Sequence, residues 1–156
     1  MCFKSLVVRG SKNIKNLYIK LRTPLVLWSP DNIMTFDTIL ESIMHTDKHI
    51  RYATIADMQG NEIKTRVREG VEPFLTPQET KETLQYASNA WKIRRGFEPK
   101  IGKGQYVLAV YEKLRRLTMP LADKYLLMIT WGPDGGTFDI IEHMQNMFSG
   151  DATKDW

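Results

Sequence analysis

The chain has 156 residues, 42% of them hydrophobic and 26% charged, with a net charge of +4, the size and balance of one globular domain. The only cysteine is Cys2, which excludes a disulfide framework and a cysteine-based metal site and fits a reducing cytoplasm. No run of about 18 apolar residues occurs, so no membrane-spanning helix is expected, and the apolar runs near the N-terminus are too broken for a secretory signal.

The positive charge is concentrated at one end. Residues 1–33 carry six basic residues against Asp31, a net of +5, and the remainder carries 16 basic and 17 acidic residues, a net of −1. Residues 1–33 show no sustained period, although Ile14, Leu17, Tyr18 and Leu21 could line one side of a short basic helix before Pro24 and Pro30 break the pattern. This stretch is expected to be a basic arm, either a disordered tail or an over-extended gene start with Met34 as the true first residue. A domain is expected over 34–150 and a tail over 151–156.

From Thr35 the pattern sharpens. Phe36, Ile39, Leu40, Ile43 and Met44 follow the spacing of an amphipathic helix. Asp37 and Glu41 suit its first half, and His45, Lys48 and His49 its end. Residues 50–70 read as a β-hairpin that turns at Asp57-Met58-Gln59-Gly60-Asn61. Its return strand sets Ile63, Thr65 and Val67 opposite Lys64, Arg66 and Arg68. A lone hairpin is marginal in water, so it requires further strands and a helical cover.

Thr76-Pro77-Gln78-Glu79 is the clearest local signal, a capping box with proline at the first helical position. The helix it opens carries Leu84, Ala87, Ala90, Trp91 and Arg94 on one side and should stop at Gly96. Residues 97–104 read as a loop. The run 105–112 is apolar on both faces and predicts a strand covered on both sides. Strands are also expected over 113–119 and 124–131, with a turn at Pro120-Leu121-Ala122-Asp123 between them. Thr137 could cap a last helix carrying Phe138, Ile141, Met144 and Phe148. The order α-β-β-α-β-β-β-α, with little room for crossovers, predicts an α+β fold. It is one mostly antiparallel five-stranded sheet flanked by helices.

This order, the Asp57-to-Gly60 turn and the helix opened by Thr76-Pro77-Gln78-Glu79 resemble the roadblock/longin type of the profilin-like folds over residues 35–148. The stretches RYATIADMQGNEIKTR, REGVEPFLTP, AWKIRRGF and IGKGQYVLAVYEKLRRLTMPL also resemble a group of small archaeal proteins with no established activity. The roadblock resemblance implies a sheet ordered 2-1-5-4-3, with the first and last helices on one face and the middle helix on the other. It further implies a homodimer formed by the middle helix and the adjoining edge strand, acting as a scaffold or regulator of GTPases and motors. The expected interface is then Leu84, Ala87, Trp91, Arg94, Val107, Ala109, Val110 and Tyr111. An unidentified protein partner, besides a second copy, is expected in the cytoplasm.

No catalytic signature is present, and no enzyme activity, cofactor or metal is expected. His45 and His49 have a metal-ligand spacing of four but lack the Glu of HExxH and a third ligand. Residues 96–103 have one residue too many between glycines for a phosphate loop, Gly104 where Ser or Thr should stand, and a strand where a helix should begin. The glycines at 132–136 could offer N–H groups to an anion, with Asp134 opposing. Arg94, Arg95, Lys100, Lys103, Arg115 and Arg116 could form an anion or partner patch, although acidic residues are interspersed. Two alternatives stand beside the interaction module. One is a small-molecule sensor, which a cavity beside Trp91, Tyr106 and Tyr111 would favour. The other is nucleic-acid binding through the arm, which steep salt dependence would reveal.

Overall fold

The computed structural model describes residues 25–29 and 32–148, with side chains from Thr35 onward. Most of the basic arm and all of the tail 151–156 lie outside the described residues. Strands β1 (Leu25–Ser29) and β2 (Asn32–Thr35) form a separate antiparallel ribbon. The expected domain boundary at residue 34 therefore falls inside β2.

Helix α1 (Phe36–Thr46) opens with a reciprocal cap in which Thr38 takes the usual place of Glu. Thr38 Oγ1 accepts from the Thr35 N–H at 2.9 Å, and Thr35 Oγ1 accepts from the Thr38 N–H at 3.3 Å. Its far end is closed by Arg68, whose guanidinium donates to the carbonyls of Met44 (2.6 Å), Asp47 (3.0 Å) and Ile50 (2.5 Å). One side chain thus satisfies carbonyls that the helix end leaves orphaned.

Strands β3 (Ile50–Asp57) and β4 (Glu62–Val67) form the predicted hairpin. Its turn is built by Asp57, whose carboxylate accepts from the N–H groups of Gln59 and Asn61 and from Asn61 Nδ2, each at 2.9 Å. Burial pushes this carboxyl up, but those hydrogen bonds outweigh it and hold it below its ordinary range. Gly60 takes φ 83° and rests on α2 (Pro77–Arg95) so closely that a Cβ there would lie 2.6 Å from the Gln85 backbone nitrogen. Only glycine meets both demands.

Helix α2 begins as the sequence predicts, with Thr76 and Glu79 capping one another and Pro77 at its start. Its buried stripe is Leu84, Ala87, Ser88 and Trp91; Arg94 is exposed. Residues 97–104 are not all loop, because a short helix α3 (Glu98–Ile101) follows directly.

Strand β5 (Val107–Val110) is shorter than the apolar run predicts. The reversal into β6 (Arg115–Leu121) consumes the residues after it, and the Tyr111 N–H donates to the Leu114 carbonyl at 2.9 Å. β5 is half-buried at Val107, Leu108 and Ala109, while Val110 is 63% exposed, so the expected cover on both faces fails at one end. β6 runs through Pro120 and Leu121, and the turn into β7 (Tyr125–Trp131) lies at 122–124. Proline is tolerated here because β5 ends opposite Thr118, so no ladder bond on that side is lost.

Helix α4 (Thr137–Phe148) buries Ile140, Ile141 and Met144 but leaves Phe138 86% exposed. At about 100° per residue, Phe138 sits roughly a third of a turn from that stripe. Thr137 is not the cap; its Oγ1 accepts from Trp131 Nε1 at 3.2 Å.

The five-stranded sheet is antiparallel and ordered β4-β3-β7-β6-β5, the 2-1-5-4-3 arrangement of the roadblock type. Helices α1 and α4 cover one face over Ile39, Leu40, Ile43, Ile55, Leu127, Ile129 and Trp131. Helix α2 covers the other through Leu84, Ala87 and Trp91 on Ala56, Leu126 and Met128. Each fully buried side chain of leucine size contributes about 1.5–3 kcal/mol by leaving water.

Candidate functional site

Two regions combine accessible surface with defined chemistry. The first lies on the α2 face of the sheet, beside the start of α2, whose Pro77, Thr80 and Thr83 line it. Pairing places Val67, Tyr52, Thr130, Arg116 and Ala109 in one row across all five strands. Over this row lies the segment 71–75, held by Arg51, which donates to the Glu72 carbonyl at 2.9 Å and stacks 4.3 Å from the Phe74 ring centre. Between row and segment is a cavity of about 290 Å³.

A bulge supplies one of its polar groups. Ile55 pairs with Lys64 but Ala56 with Glu62, so Ile63 is an extra residue in β4. Strict alternation would put Glu62 on the face of Lys64 and Arg66; the bulge turns it to the face of Thr65. There the Tyr52 hydroxyl donates to Glu62 Oε1, and Thr65 Oγ1 donates to the same oxygen at 2.9 Å. Burial, followed by the Glu62 carboxylate, holds the Tyr52 hydroxyl well above the ordinary tyrosine range. Lys64 and Arg66 face α1 instead and pair with Asp37, Lys64 at 3.1 Å and Arg66 at 2.5 Å. Lys64 as first cause, with burial opposing, leaves the Asp37 carboxyl below its ordinary range.

The second region is the free edge of β5 and the outer side of α2. Tyr86 and Ile93 are 78% and 66% exposed, and Phe97 and Ile101 continue the apolar surface beyond the helix. Because Tyr111 bonds to Leu114, the antiparallel alternation turns the backbone N–H of Val110 outward. Of the residues expected at an interface, Val110, Tyr111 and Arg94 are exposed, and Val107 and Ala109 are half-buried. Leu84, Ala87 and Trp91 face the chain's own sheet. Trp91 is 2% exposed, and its Nε1 donates to Thr118 Oγ1 at 3.2 Å. These three support the surface from beneath; Tyr86 and Ile93, on the opposite side of the same helix, take their place on it. The outward stripe was readable from its helical spacing, but the stronger inward stripe masks it.

The remaining candidates separate in space. His45 Nδ1 lies 2.7 Å from the Glu41 carbonyl oxygen and His49 Nδ1 2.8 Å from Asp47 Oδ1. The helix ends at Thr46, so the spacing of four does not set the two rings on one face. Among the described residues no three His, Cys, Asp or Glu side chains converge as metal ligands. The N–H of Gly136, before α4, already donates to Asp47 Oδ2 at 2.9 Å, which supplies that helix start with a carboxylate from this chain.

The six basic residues do not form one patch. Arg115 and Arg116 are successive in β6 and project to opposite faces. Arg115 donates to the Tyr111 carbonyl at 2.6 Å, and Arg116 stacks 5.2 Å from the Tyr111 ring centre. Arg94 lies 5.4 Å from the Trp91 ring centre and Arg95 donates to the Asp123 carbonyl at 2.9 Å. Lys100 is exposed on the short helix α3, with Lys103 just beyond it. Trp91, Tyr106 and Tyr111, beside which a cavity would favour a sensor, do not line the cavity; it opens under Phe74 and reaches Arg116, whose guanidinium stacks on Tyr111, on β6, the strand next to β5.

No protein-family model matches the chain, and no curated protein does. Solved structures match in shape. The gliding protein MglB from Thermus thermophilus aligns at 13% identity with a TM-score of 0.59, over 81% of this chain and 91% of that one. The Roadblock/LC7 domain from Streptomyces avermitilis aligns at 12% identity with a TM-score of 0.56, over 72% and 90%. MglC from Myxococcus xanthus aligns at 19% identity with a TM-score of 0.52, over 72% and 91%. No described helix is long and apolar enough to cross a membrane. Strand order, the division of helices between faces and these matches together make the fold of this chain that of the roadblock type.

Proposed function

We propose that the chain is a non-catalytic interaction and regulatory module of the cytoplasm. It pairs with a second copy through β5 and the outer side of α2, and the pair binds a protein partner of small-GTPase type. One observation carries this reading. An edge strand with outward-facing backbone groups lies in the same domain as an uncovered apolar helix stripe, Tyr86 and Ile93. Such an edge pairs readily with another chain unless something blocks it. Two copies related by a two-fold axis would join their sheets into one of ten strands. The solved structures of similar shape include one described as MglB with a tetrameric arrangement, which supports self-association as a use of this fold.

Light scattering on the full chain tests the pairing. A dimer mass is expected at tens of micromolar, roughly where a weak dimer begins to dissociate. Val110→Pro removes an outward donor without breaking the β5–β6 ladder and should give a folded monomer. Ile93→Asp, which leaves the sheet untouched, should do the same. A monomer for the unmodified chain at that concentration overturns the reading.

A further inference from the structure

The cavity under segment 71–75 has features that the fold alone does not require. At about 290 Å³ it could hold roughly ten waters by their share of liquid volume, near the lower end for small-molecule pockets. Its walls are mainly apolar, with Val71, Phe74, Leu75, Leu114 and Met128 contributing. Four charged residues line it: Arg51, Glu62, Glu72 and Arg116. Two of their side chains have defined work. Arg51 holds the roof through Glu72 and Phe74. The Glu62 carboxylate accepts from Tyr52 and Thr65 at the β4 side.

Arg116 differs. It lies in the same row as Tyr52 but on the far side of β7, about 10 Å away at ordinary strand spacing. Its Nε is shut off from the cavity and has no hydrogen-bond partner among the described residues, so a ligand in the cavity would meet the terminal nitrogens of this lining residue. Its Nη1 makes only a long contact, 3.4 Å, to the Tyr111 hydroxyl. Buried guanidinium N–H groups are normally paired, because desolvating a charged donor is costly. Glu62 would repel an anion at the opposite end, so the site is polarised along its length.

We propose that this cavity binds a small organic carboxylate with an apolar body, its carboxylate on Arg116 and its body between Met128 and the Phe74 roof. Guanidinium is the side chain best suited to a carboxylate, which it can hold through two parallel hydrogen bonds. The apolar walls reject acetate-sized anions that bring no body to bury, and Glu62 disfavours dicarboxylates long enough to reach it. The cavity lies under segment 71–75 and is built within one chain, although Arg116 also touches Tyr111 at the β5 edge.

The test uses the full chain with methyl-labelled methionine and three probes: hexanoate, hexan-1-ol and acetate. Hexanoate should shift the Met128 methyl signal saturably and bind about tenfold or more tightly than either other probe, the scale of one charge-assisted contact. Arg116→Gln should abolish the preference of hexanoate over hexan-1-ol. Phe74→Ala, on the exposed roof, should weaken hexanoate while leaving the fold intact, which keeps the proposal testable if the arginine variant does not fold. No saturable Met128 shift, equal binding of acid and alcohol, or hexanoate binding unchanged by Phe74→Ala would each overturn the proposal.

Discussion

Gly60→Ala offers a measurement of how tightly the first hairpin docks on the middle helix. Gly60 has φ 83°, and an added Cβ would stand 2.6 Å from Gln85 Cγ and its backbone nitrogen and 2.7 Å from its Cα. Placing alanine in the left-handed region costs about 1–2 kcal/mol. Ordinary carbon contact begins near 3.5 Å, so the turn must also retreat by about 1 Å from a helix backbone that cannot bend aside. That retreat would loosen Met58, which is buried against the α2 cluster, and overpacking of this kind costs about 1–3 kcal/mol more. The expected total is about 2–5 kcal/mol, a large share of the roughly 5–15 kcal/mol that holds a domain together. Gly70→Ala is the control, because Gly70 has φ 74° but nothing within 4 Å of the added Cβ; it should cost only the backbone strain of about 1–2 kcal/mol. Urea titrations followed by circular dichroism would separate the two. With a slope near 2 kcal/mol per molar, a loss of 3 kcal/mol moves the midpoint by about 1.5 M. Equal losses for the two variants would refute the close contact between the turn and Gln85.

Asp47→Asn should cost about 1–2 kcal/mol near neutral pH, since it weakens the carboxylate that joins the end of α1 to the start of α4. Burial raises the Asp47 carboxyl, but the N–H groups of His49 and Gly136 and the His49 side chain outweigh it and leave it below its ordinary 3.8. A depressed carboxyl stabilises above its unfolded value and loses that contribution as pH falls through the folded one. The deficit of the variant should therefore shrink in acid, and a deficit constant down to about pH 2 would contradict the assignment. Thr76→Ala should cost about 1 kcal/mol in a denaturant titration, the usual worth of a hydroxyl cap; no measurable change would place the start of α2 elsewhere. A chain beginning at Met34 should keep a cooperative thermal transition, because the β1–β2 ribbon is separate from the main sheet. Loss of that transition would show that the preceding residues complete the core.

Element types and their order were legible in the sequence because they depend on neighbours within a turn or two of chain. The apolar spacing from Phe36 to Met44, the cap at Thr76 and Glu79, and the Asp57-to-Asn61 turn each satisfy local backbone groups, and each stands where predicted. Even the sheet order followed from the resemblance that this succession carries. Boundaries were less secure where two local signals competed: Pro120 reads as a turn, yet β6 passes through it because its neighbour strand has already ended. Only tertiary structure decided which face each residue meets. Trp91 is expected at the interface from the resemblance; its burial at 2% exposure and its hydrogen bond to Thr118 on the sheet make it core. Glu62 reads as a companion of Lys64, but one extra residue at Ile63 inverts its side and delivers it to Tyr52. Arg116 reads as part of a basic surface with Arg115, yet strand alternation sends the two apart and sets Arg116 across from Tyr52, 64 positions earlier in the chain. Cross-strand register, bulges and the path of the 71–75 segment arise from the packing of distant elements, and no window of the sequence contains both partners.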